Sequence, residues 1–339
     1  MTLAPLGLLR ALDRFVRLHF FGFTALLILL GACSVEPDPG AASIATLLAI
    51  GLCFHNFAYV FNDVIDLPVD RTHPDRQTDY LVRGVITPGQ ALAFSLVQIP
   101  IALGLAAWSG AGLPAMTVLL VGFGLMTVYD LWGKRCPIPP LTDLAQGLAW
   151  GSLALFAALA LGHEPTLLTW VATLHGVGFI CLINGVHGGL RDLDNDLARA
   201  RLTTASYFGA RPGQPIGASL RRFALTIQLA MIVVNLIPLL VGAFELSRLA
   251  SLIVGALVVV LSLACLVYMV RVFHVTDPRW ARDFRVHLGL LQLPPMVMFA
   301  AHMAIGPALL MFGTMIWAFL FLDITWAVAR DLVRRWTGG

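Results

Sequence analysis

Apolar runs long enough to cross a bilayer recur along the whole chain and constrain its fold more than any other feature. A transmembrane helix needs about 20 mostly apolar residues. Hydrophobic residues make up 58% of the 339 residues and charged residues only 12%, against roughly a quarter charged in soluble domains. The sequence therefore predicts an all-α, multi-pass transmembrane bundle of nine or ten spans. The predicted spans are 18–34, 41–63, 88–108, 113–132, 141–161, 167–188, 217–241, 248–271, 286–304 and 306–328.

The distribution of basic residues agrees with this assignment. Threading ten spans with the N-terminus inside places every Lys and Arg except Arg248 on the inner side, and leaves the outer loops short and acidic or neutral. Such asymmetry is typical of a correct membrane topology. We therefore expect a protein of the cell membrane with both termini in the cytoplasm. Residues 1–17 carry three arginines among apolar residues, which predicts an interfacial amphipathic helix.

Other features narrow the possible functions. The five cysteines are scattered without metal-ligand spacing, so we interpret them as small apolar residues in helices. No nucleic-acid motif is present, and no sequence feature indicates an obligatory protein partner. No linker divides the chain, so residues 1–339 are expected to form a single domain in the bilayer.

The first acidic patch follows the second span. Asn62 and Asp66 are four residues apart and share a face in a helix. Pro68 is expected to end or kink that helix near Leu67, so that Asp70 leans back from the following loop toward the same point. Ionisable residues at membrane depth indicate function by default.

A second patch follows the sixth span, where Asp192 and Asp196 repeat the four-residue spacing. Both patches lie on the predicted cytoplasmic side. Carboxylates gathered in a low-dielectric site need cations to neutralise them. Carboxylate oxygens suit Mg2+, whose coordination is usually completed by substrate phosphates. The sequence thus predicts a metal-bridged diphosphate between six aspartates: Asp63, Asp66, Asp70, Asp192, Asp194 and Asp196.

These two patches resemble the motifs of the UbiA superfamily of intramembrane prenyltransferases. Asn62-Asp63-Val-Ile-Asp66-Leu-Pro-Val-Asp70 resembles its NDxxDxxxD signature, and Asp192-Leu-Asp194-Asn-Asp196 resembles its DxxxD signature. The resemblance covers about residues 10–304 and leaves 306–328 as an extra C-terminal span. It implies a central cavity that opens at the cytoplasmic side and holds a prenyl diphosphate.

The resemblance also implies roles for particular residues. Asn62, Asp66, Asp70, Asp192 and Asp196 would be catalytic and would bind Mg2+. The cations expected to bind the substrate diphosphate are Arg71, Arg76, Lys134 and Arg191. The implied reaction is Mg2+-dependent transfer of a prenyl group from a polyprenyl diphosphate to a small aromatic or other lipophilic acceptor.

Three further residues carry expectations of their own. Asp63 is expected to be solvated rather than a metal ligand. His55 and His187 are expected to be interior histidines with satisfied hydrogen bonds rather than catalytic bases.

One departure from the family leaves alternatives open. Many relatives carry Arg-Pro-Leu in the first loop where this chain has Asp79-Tyr80-Leu81. A membrane terpene cyclase, in which the allylic cation closes on its own chain without an acceptor, is therefore the main alternative. Transfer of a sugar phosphate to a polyprenyl phosphate is a third possibility. A carboxylate-based transporter is a fourth, and the rim position of both patches argues against it.

Overall fold

The computed structural model describes residues 15–72, 76–77, 79–133, 135–244, 246–275 and 280–321, and every regular element among them is helical. A 3-10 turn at Leu18–Phe20 leads into the first helix. The longer helices are α1 (Phe21–Cys33), α2 (Ala41–Asp70), α3 (Pro88–Trp108), α4 (Leu113–Trp132), α5 (Pro139–Ala160) and α6 (Leu167–Leu182). After α6 come a π-helical turn at Ile183–Gly188, a helical turn at Gly189–Arg191, and the short helices α7 (Leu193–Leu197) and α8 (Thr204–Tyr207). The chain continues with α9 (Ala218–Leu240), α10 (Arg248–Val272), α11 (Trp280–Leu290), α12 (Leu293–Ala300) and α13 (Ile305–Phe321).

The predicted transmembrane bundle is confirmed. Within the described residues, seven helical segments are long and apolar enough to cross a bilayer, and shorter apolar helices occupy Leu18–Cys33 and Ile305–Phe319. The first eight predicted spans and the tenth each begin within three residues of the first residue of an observed helix. Most of the predicted helix at residues 1–17, and the end of the predicted span 306–328, lie outside the described residues.

Two predicted boundaries were wrong. Helix α2 does not end near Leu67 but runs through Pro68 to Asp70, and the Arg71 amide still reaches the Leu67 carbonyl oxygen at 3.1 Å. The exposed position of Pro68 leaves room for its ring on the outside of the helix. The predicted span 286–304 is instead two helices, α11 and α12, which meet at Leu291 and Gln292. Pro294 and Pro295 cannot donate to the preceding turn, so α11 does not continue.

The helices separate into a buried group and a peripheral group. In α1, every residue after Phe21 is buried. Inside their apolar windows α2 and α5 are each 61% buried, whereas α10 is only 17% buried. Apart from Arg248 and Arg271 at its two ends, the exposed residues of α10 are aliphatic, among them Leu252 and Val260. Lipid can solvate such a face, so burial inside the protein is not required of it.

Close helix contacts in the buried group depend on glycine. A Cβ on Gly151 of α5 would lie 2.6 Å from the Thr173 carbonyl oxygen of α6. A Cβ on Gly31 of α1 would overlap the backbone of Ala154 in α5. Small residues allow membrane helices to approach closely where the hydrophobic effect cannot drive association. Helix α5 is therefore held against α1 and α6 at separations that only glycine permits.

Helix α13, which corresponds to the predicted extra span, packs on the outside of α1. A Cβ on Gly22 would lie 2.5 Å from the Thr314 carbonyl oxygen. The loop before α13 is joined to the loop after α1, because the Ala304 amide donates to the Pro37 carbonyl oxygen at 2.9 Å. The extra helix therefore covers the first helix rather than lining the centre of the bundle.

We predict that Gly31→Ala lowers the free energy of unfolding by about 1–3 kcal/mol, because the new methyl overlaps the α5 backbone. The control is Gly124→Ala in α4, where a Cβ meets nothing within 4 Å. That variant is expected to be neutral or stabilising by up to about 1 kcal/mol. Thermal unfolding in one detergent measures both. Equal midpoints for the two variants would contradict the close packing of α1 on α5.

Candidate functional site

The first acidic patch lies on the last two turns of α2. Because α2 continues through Pro68, Asn62, Asp66 and Asp70 follow one another at four-residue intervals on one helical face. All three line the same cavity. The longer helix therefore replaces the predicted loop as the element that positions Asp70.

The second patch is positioned by the distorted end of the sixth span. The π-helical turn at Ile183–Gly188 contains Asn184, whose side-chain amide donates to the Gln146 side-chain oxygen of α5. Turns of this kind are frequent at functional sites. Asp192 is the N-cap residue immediately before α7, and the Asp196 amide donates to the Asp192 carbonyl oxygen at 2.9 Å. Asp192 and Asp196 line the cavity, whereas Asp194 is exposed.

Both patches therefore meet at one cavity of about 600 Å³. We call the part lined by the two patches the acidic end. Apolar and aromatic side chains line the rest of the wall, among them Phe23, Leu27, Trp150 and Phe179. His175 and Gln292 line the part that we call the inner end. A cavity of this size suits a small-molecule ligand with a polar head and an apolar body.

Charged partners already surround the predicted ligands. The Arg201 guanidinium donates to an Asp66 oxygen at 2.9 Å. Arg191 forms two parallel hydrogen bonds with Asp192, at 2.8 and 2.7 Å. The Asn62 amide donates to Asp130 at 2.9 Å. The protein thus supplies neutralising charge at both patches by itself, as buried carboxylates require.

The predicted diphosphate-binding cations do not all reach the cavity. Arg76 and Arg191 line it. Arg71 follows α2 and is exposed, and it is not among the lining residues. Lys134 lies outside the described residues. Arg17 and Arg285 also line the cavity, although the sequence analysis selected neither of them.

Arg76 belongs to the loop that departs from the family pattern. It donates to Asp79 at 3.3 Å. Burial lowers the pKa of the Arg76 guanidinium. The nearby carboxylates of Asp63, Asp70 and Asp79 raise this pKa by more than burial lowers it, so that it lies above its ordinary value. Arg76 is therefore a permanent cation beside the first patch.

Asp63 and the two predicted interior histidines have defined partners. The expectation that Asp63 is solvated was wrong, because it forms an ion pair with Arg17 and its side chain is only 17% exposed. His55 is fully buried; its Nδ1 faces the Thr24 hydroxyl at 3.0 Å and its Nε2 faces the Val16 carbonyl oxygen at 3.0 Å. The prediction of a satisfied interior histidine is confirmed for His55. For His187 it is half right, because Nε2 faces His287 at 3.0 Å while Nδ1 has no partner among the described residues.

The residues at the acidic end fit a magnesium ion that a substrate completes. Within the described chain no group of three His, Cys, Asp or Glu side chains is arranged to hold a metal alone. The two patches nevertheless present carboxylate and amide oxygens to one cavity. Such oxygens are the ligands that Mg2+ takes, usually in small number and together with substrate phosphate.

Comparison with known proteins supports this picture of the fold. The sequence model of the UbiA prenyltransferase family matches residues 21–291. No curated protein sequence matches the chain. Seven solved chains match it. Three of them share its fold at 15–16% sequence identity.

The matches to these three solved structures extend over nearly the full length of each solved chain. The apo structure of a UbiA homologue from Aeropyrum pernix K1 has a TM-score of 0.63 and 16% identity, over 83% of this chain and 96% of its own. A digeranylgeranylglyceryl phosphate synthase has a TM-score of 0.63 and 15% identity, over 91% and 98%. A UbiA homologue from Archaeoglobus fulgidus, bound to GPP and Mg2+, has a TM-score of 0.59 and 16% identity, over 86% and 99%.

We predict that Arg201→Gln increases the stabilisation that Mg2+ gives to the protein. The Arg201 guanidinium bonds to Asp66, so it competes with a metal for that carboxylate. Without it, Mg2+ is expected to bind more tightly and to raise the unfolding temperature more than in the wild type. The control is Arg199→Gln, because Arg199 bonds to Asn195 at 3.1 Å instead. Identical Mg2+-induced shifts in the two variants would contradict the competition.

Proposed function

The chain belongs to the UbiA prenyltransferase family, and we propose that it ionises a polyprenyl diphosphate with Mg2+ and transfers the prenyl group to a small acceptor, aromatic or otherwise lipophilic. The substrate head would lie at the acidic end of the cavity and its tail along the apolar wall. Prenyl chain length and acceptor are not specified by this proposal.

One observation carries the proposal. Asn62, Asp66 and Asp70 from α2 line the same cavity as Asp192 and Asp196 from the end of the sixth span. Metal-binding residues on two separate elements favour a site for a metal-bridged diphosphate over a simple ion site, because a diphosphate presents oxygens to both elements. The similar protein solved with GPP and Mg2+ supports the choice of substrate and metal.

Asn62, Asp66, Asp70, Asp192 and Asp196 would hold Mg2+, which supplies charge that stabilises the diphosphate leaving group. Arg76 and Arg191 line the cavity beside these residues and would neutralise non-bridging oxygens. Arg17 and Arg285 line the same cavity and would add to this positive field. Arg71 and Lys134 remain predictions for the same role.

The rest of the cavity would protect the allylic cation. Tyr59, Tyr129 and Trp150 line it. Their ring faces carry negative charge density and can stabilise a nearby carbocation. The buried wall, which includes Phe23 and Leu27, would keep water from capturing the cation before the acceptor attacks.

The altered first loop favours a second candidate, a terpene cyclase on the same fold. Asp79 stands where many relatives carry an arginine, and it bonds to Arg76 at 3.3 Å. The loop thus adds negative charge where an arginine would be expected to hold substrate or acceptor. In a cyclase the prenyl chain itself supplies the nucleophile, so no acceptor has to be bound there.

The distribution of basic residues supports a cytoplasmic orientation of the acidic end. We propose a multi-pass protein of the cell membrane with both termini in the cytoplasm. Released pyrophosphate would then enter the cytoplasm directly.

We predict that Asp66→Ala and Asp192→Ala each abolish pyrophosphate release from an allylic diphosphate while the protein remains folded. Each variant removes a carboxylate from a different side of the cavity. Asp194→Ala is the matched control, because Asp194 is exposed and does not line the cavity. Full turnover by Asp66→Ala or Asp192→Ala would remove that residue from the proposed metal site.

Metal dependence is a separate prediction. Removing divalent ions with a chelator is expected to stop pyrophosphate release, and adding Mg2+ is expected to restore it. Circular dichroism of the chelated protein checks that the helices persist. Unchanged turnover in the chelated protein would refute the metal mechanism.

Incubation with Mg2+ and C10, C15 and C20 allylic diphosphates separates the two candidate functions. A prenyltransferase is expected to be inactive until phenols and quinone precursors are added. Cyclic hydrocarbons or alcohols formed without any acceptor would instead establish the cyclase. A transporter does not cleave the diphosphate and would give no product in either case.

A further inference from the structure

The inner end of the cavity is polar, although the wall that leads to it is apolar. His175 and Gln292 line it and are 0% and 2% exposed. Asp192 lies 17 positions after His175 along the chain, which corresponds to about 25 Å at roughly 1.5 Å per helical residue. Phe179, Ile180 and Leu288 line the wall of the same cavity. The cavity therefore carries polar groups near both ends.

The hydrogen bonds at the inner end leave an amide donor unused. Asn235 of α9 approaches His175 Nδ1 with its amide nitrogen at 3.2 Å. With Nδ1 as acceptor, His175 Nε2 carries the proton and faces the Gln292 side-chain oxygen at 3.4 Å. The Gln292 amide nitrogen, on a side chain that lines the cavity, then has no hydrogen-bond partner in the described part of the chain. The Asn235 oxygen is buried and unsatisfied.

Gln292 also stands where the helical backbone is interrupted. It lies between α11 and α12, immediately before the segment Leu293-Pro294-Pro295. Interrupted helices at membrane depth are tolerated where the backbone is buried in protein or lines a cavity. In other membrane proteins such breaks are found at binding sites. The break and the unused donor are independent observations, and both point to a ligand at the inner end.

A hydrocarbon chain end would not satisfy this site. An apolar chain end would cover this amide donor without giving it a partner, which is unfavourable, whereas a ligand oxygen would accept from it. Sites that hydrogen-bond a ligand hydroxyl discriminate strongly against the analogue that lacks it. The inner end should therefore prefer an oxygen-bearing group to a terminal methyl group.

We propose that His175 and Gln292 form a second polar subsite that binds a hydroxyl or carbonyl oxygen, so that the cavity has a polar recognition site at each of its two ends. This inference rests on the proposed function, because it places the diphosphate at the acidic end. The oxygen belongs either to the far end of the prenyl chain or to the second substrate.

The test measures Mg2+-dependent binding of two inert analogues to the full-length protein in detergent. One is geranylgeranyl thiolodiphosphate, and the other is the same compound with a hydroxyl on the carbon farthest from the diphosphate. Wild-type protein is expected to bind the hydroxylated compound about tenfold more tightly. Gln292→Met keeps the side-chain size and is expected to remove that preference. Gln98→Met makes the same change at a buried amide that does not line the cavity, and should keep it.

A second arm identifies an oxygen on the second substrate. A long-chain phenol is titrated into protein already saturated with the unmodified analogue. Phenol binding that Gln292→Met weakens about tenfold, with no preference for the hydroxylated prenyl chain, would assign the subsite to the second substrate.

Three results would overturn the inference. If wild-type protein binds both analogues equally and Gln292→Met does not affect phenol binding, the subsite is absent although the proposed function stands. If Gln292→Met only tightens binding of the unmodified analogue, the inner end holds a structural water. If no analogue binds in the presence of Mg2+, the proposed function fails and the inference fails with it. The comparison of the two analogues needs only wild-type protein. In the phenol arm, retained Mg2+-dependent binding of the unmodified analogue shows that Gln292→Met is folded.

Discussion

Two groups of carboxylates face one cavity between membrane helices, and the surrounding structure stabilises their charges. Charges that leave water need partners within the protein, or their desolvation destabilises the fold. Arg201 meets Asp66 and Arg191 meets Asp192, so each patch carries its own cation. These partners come from the polar segment that contains α7 and α8. That segment is therefore part of the site rather than a simple connection between spans.

The apolar part of the bundle gives the cavity its shape. Gly151 and Gly31 let α5 approach α6 and α1 closely, while the peripheral helices turn aliphatic faces outward. Close backbone packing fixes the position of Trp150 in the cavity wall, because Trp150 belongs to the same helix as Gly151. The break between α11 and α12 then brings the amide of Gln292 to a depth where the remaining wall is apolar. The acidic end and the apolar wall of the cavity thus use different parts of the same helices.

Much of this could be predicted because the determining patterns are local. Apolar length specified most of the spans, and the four-residue spacing of Asn62 and Asp66 specified a shared face. The extension of α2 through Pro68 could not be predicted, because it depends on space outside the helix. The interruption at Gln292 was hidden within an apolar run despite Pro294 and Pro295. Arg201 was missed because arginines in inner loops are equally well explained by topology, and Asp66 is 135 residues away along the chain. Contacts of that kind have no local signature.

The central claim is that both acidic patches bind one and the same metal-bridged diphosphate. A double-mutant cycle tests it most directly, with Mg2+-dependent binding of geranyl thiolodiphosphate measured for Asp66→Asn, Asp192→Asn and the double variant. If both carboxylates act on one bound diphosphate, each single variant loses most of the Mg2+-dependent affinity, and the double variant loses little more, which is strong non-additivity. Strictly additive losses, or full Mg2+-dependent affinity in either single variant, would contradict the claim.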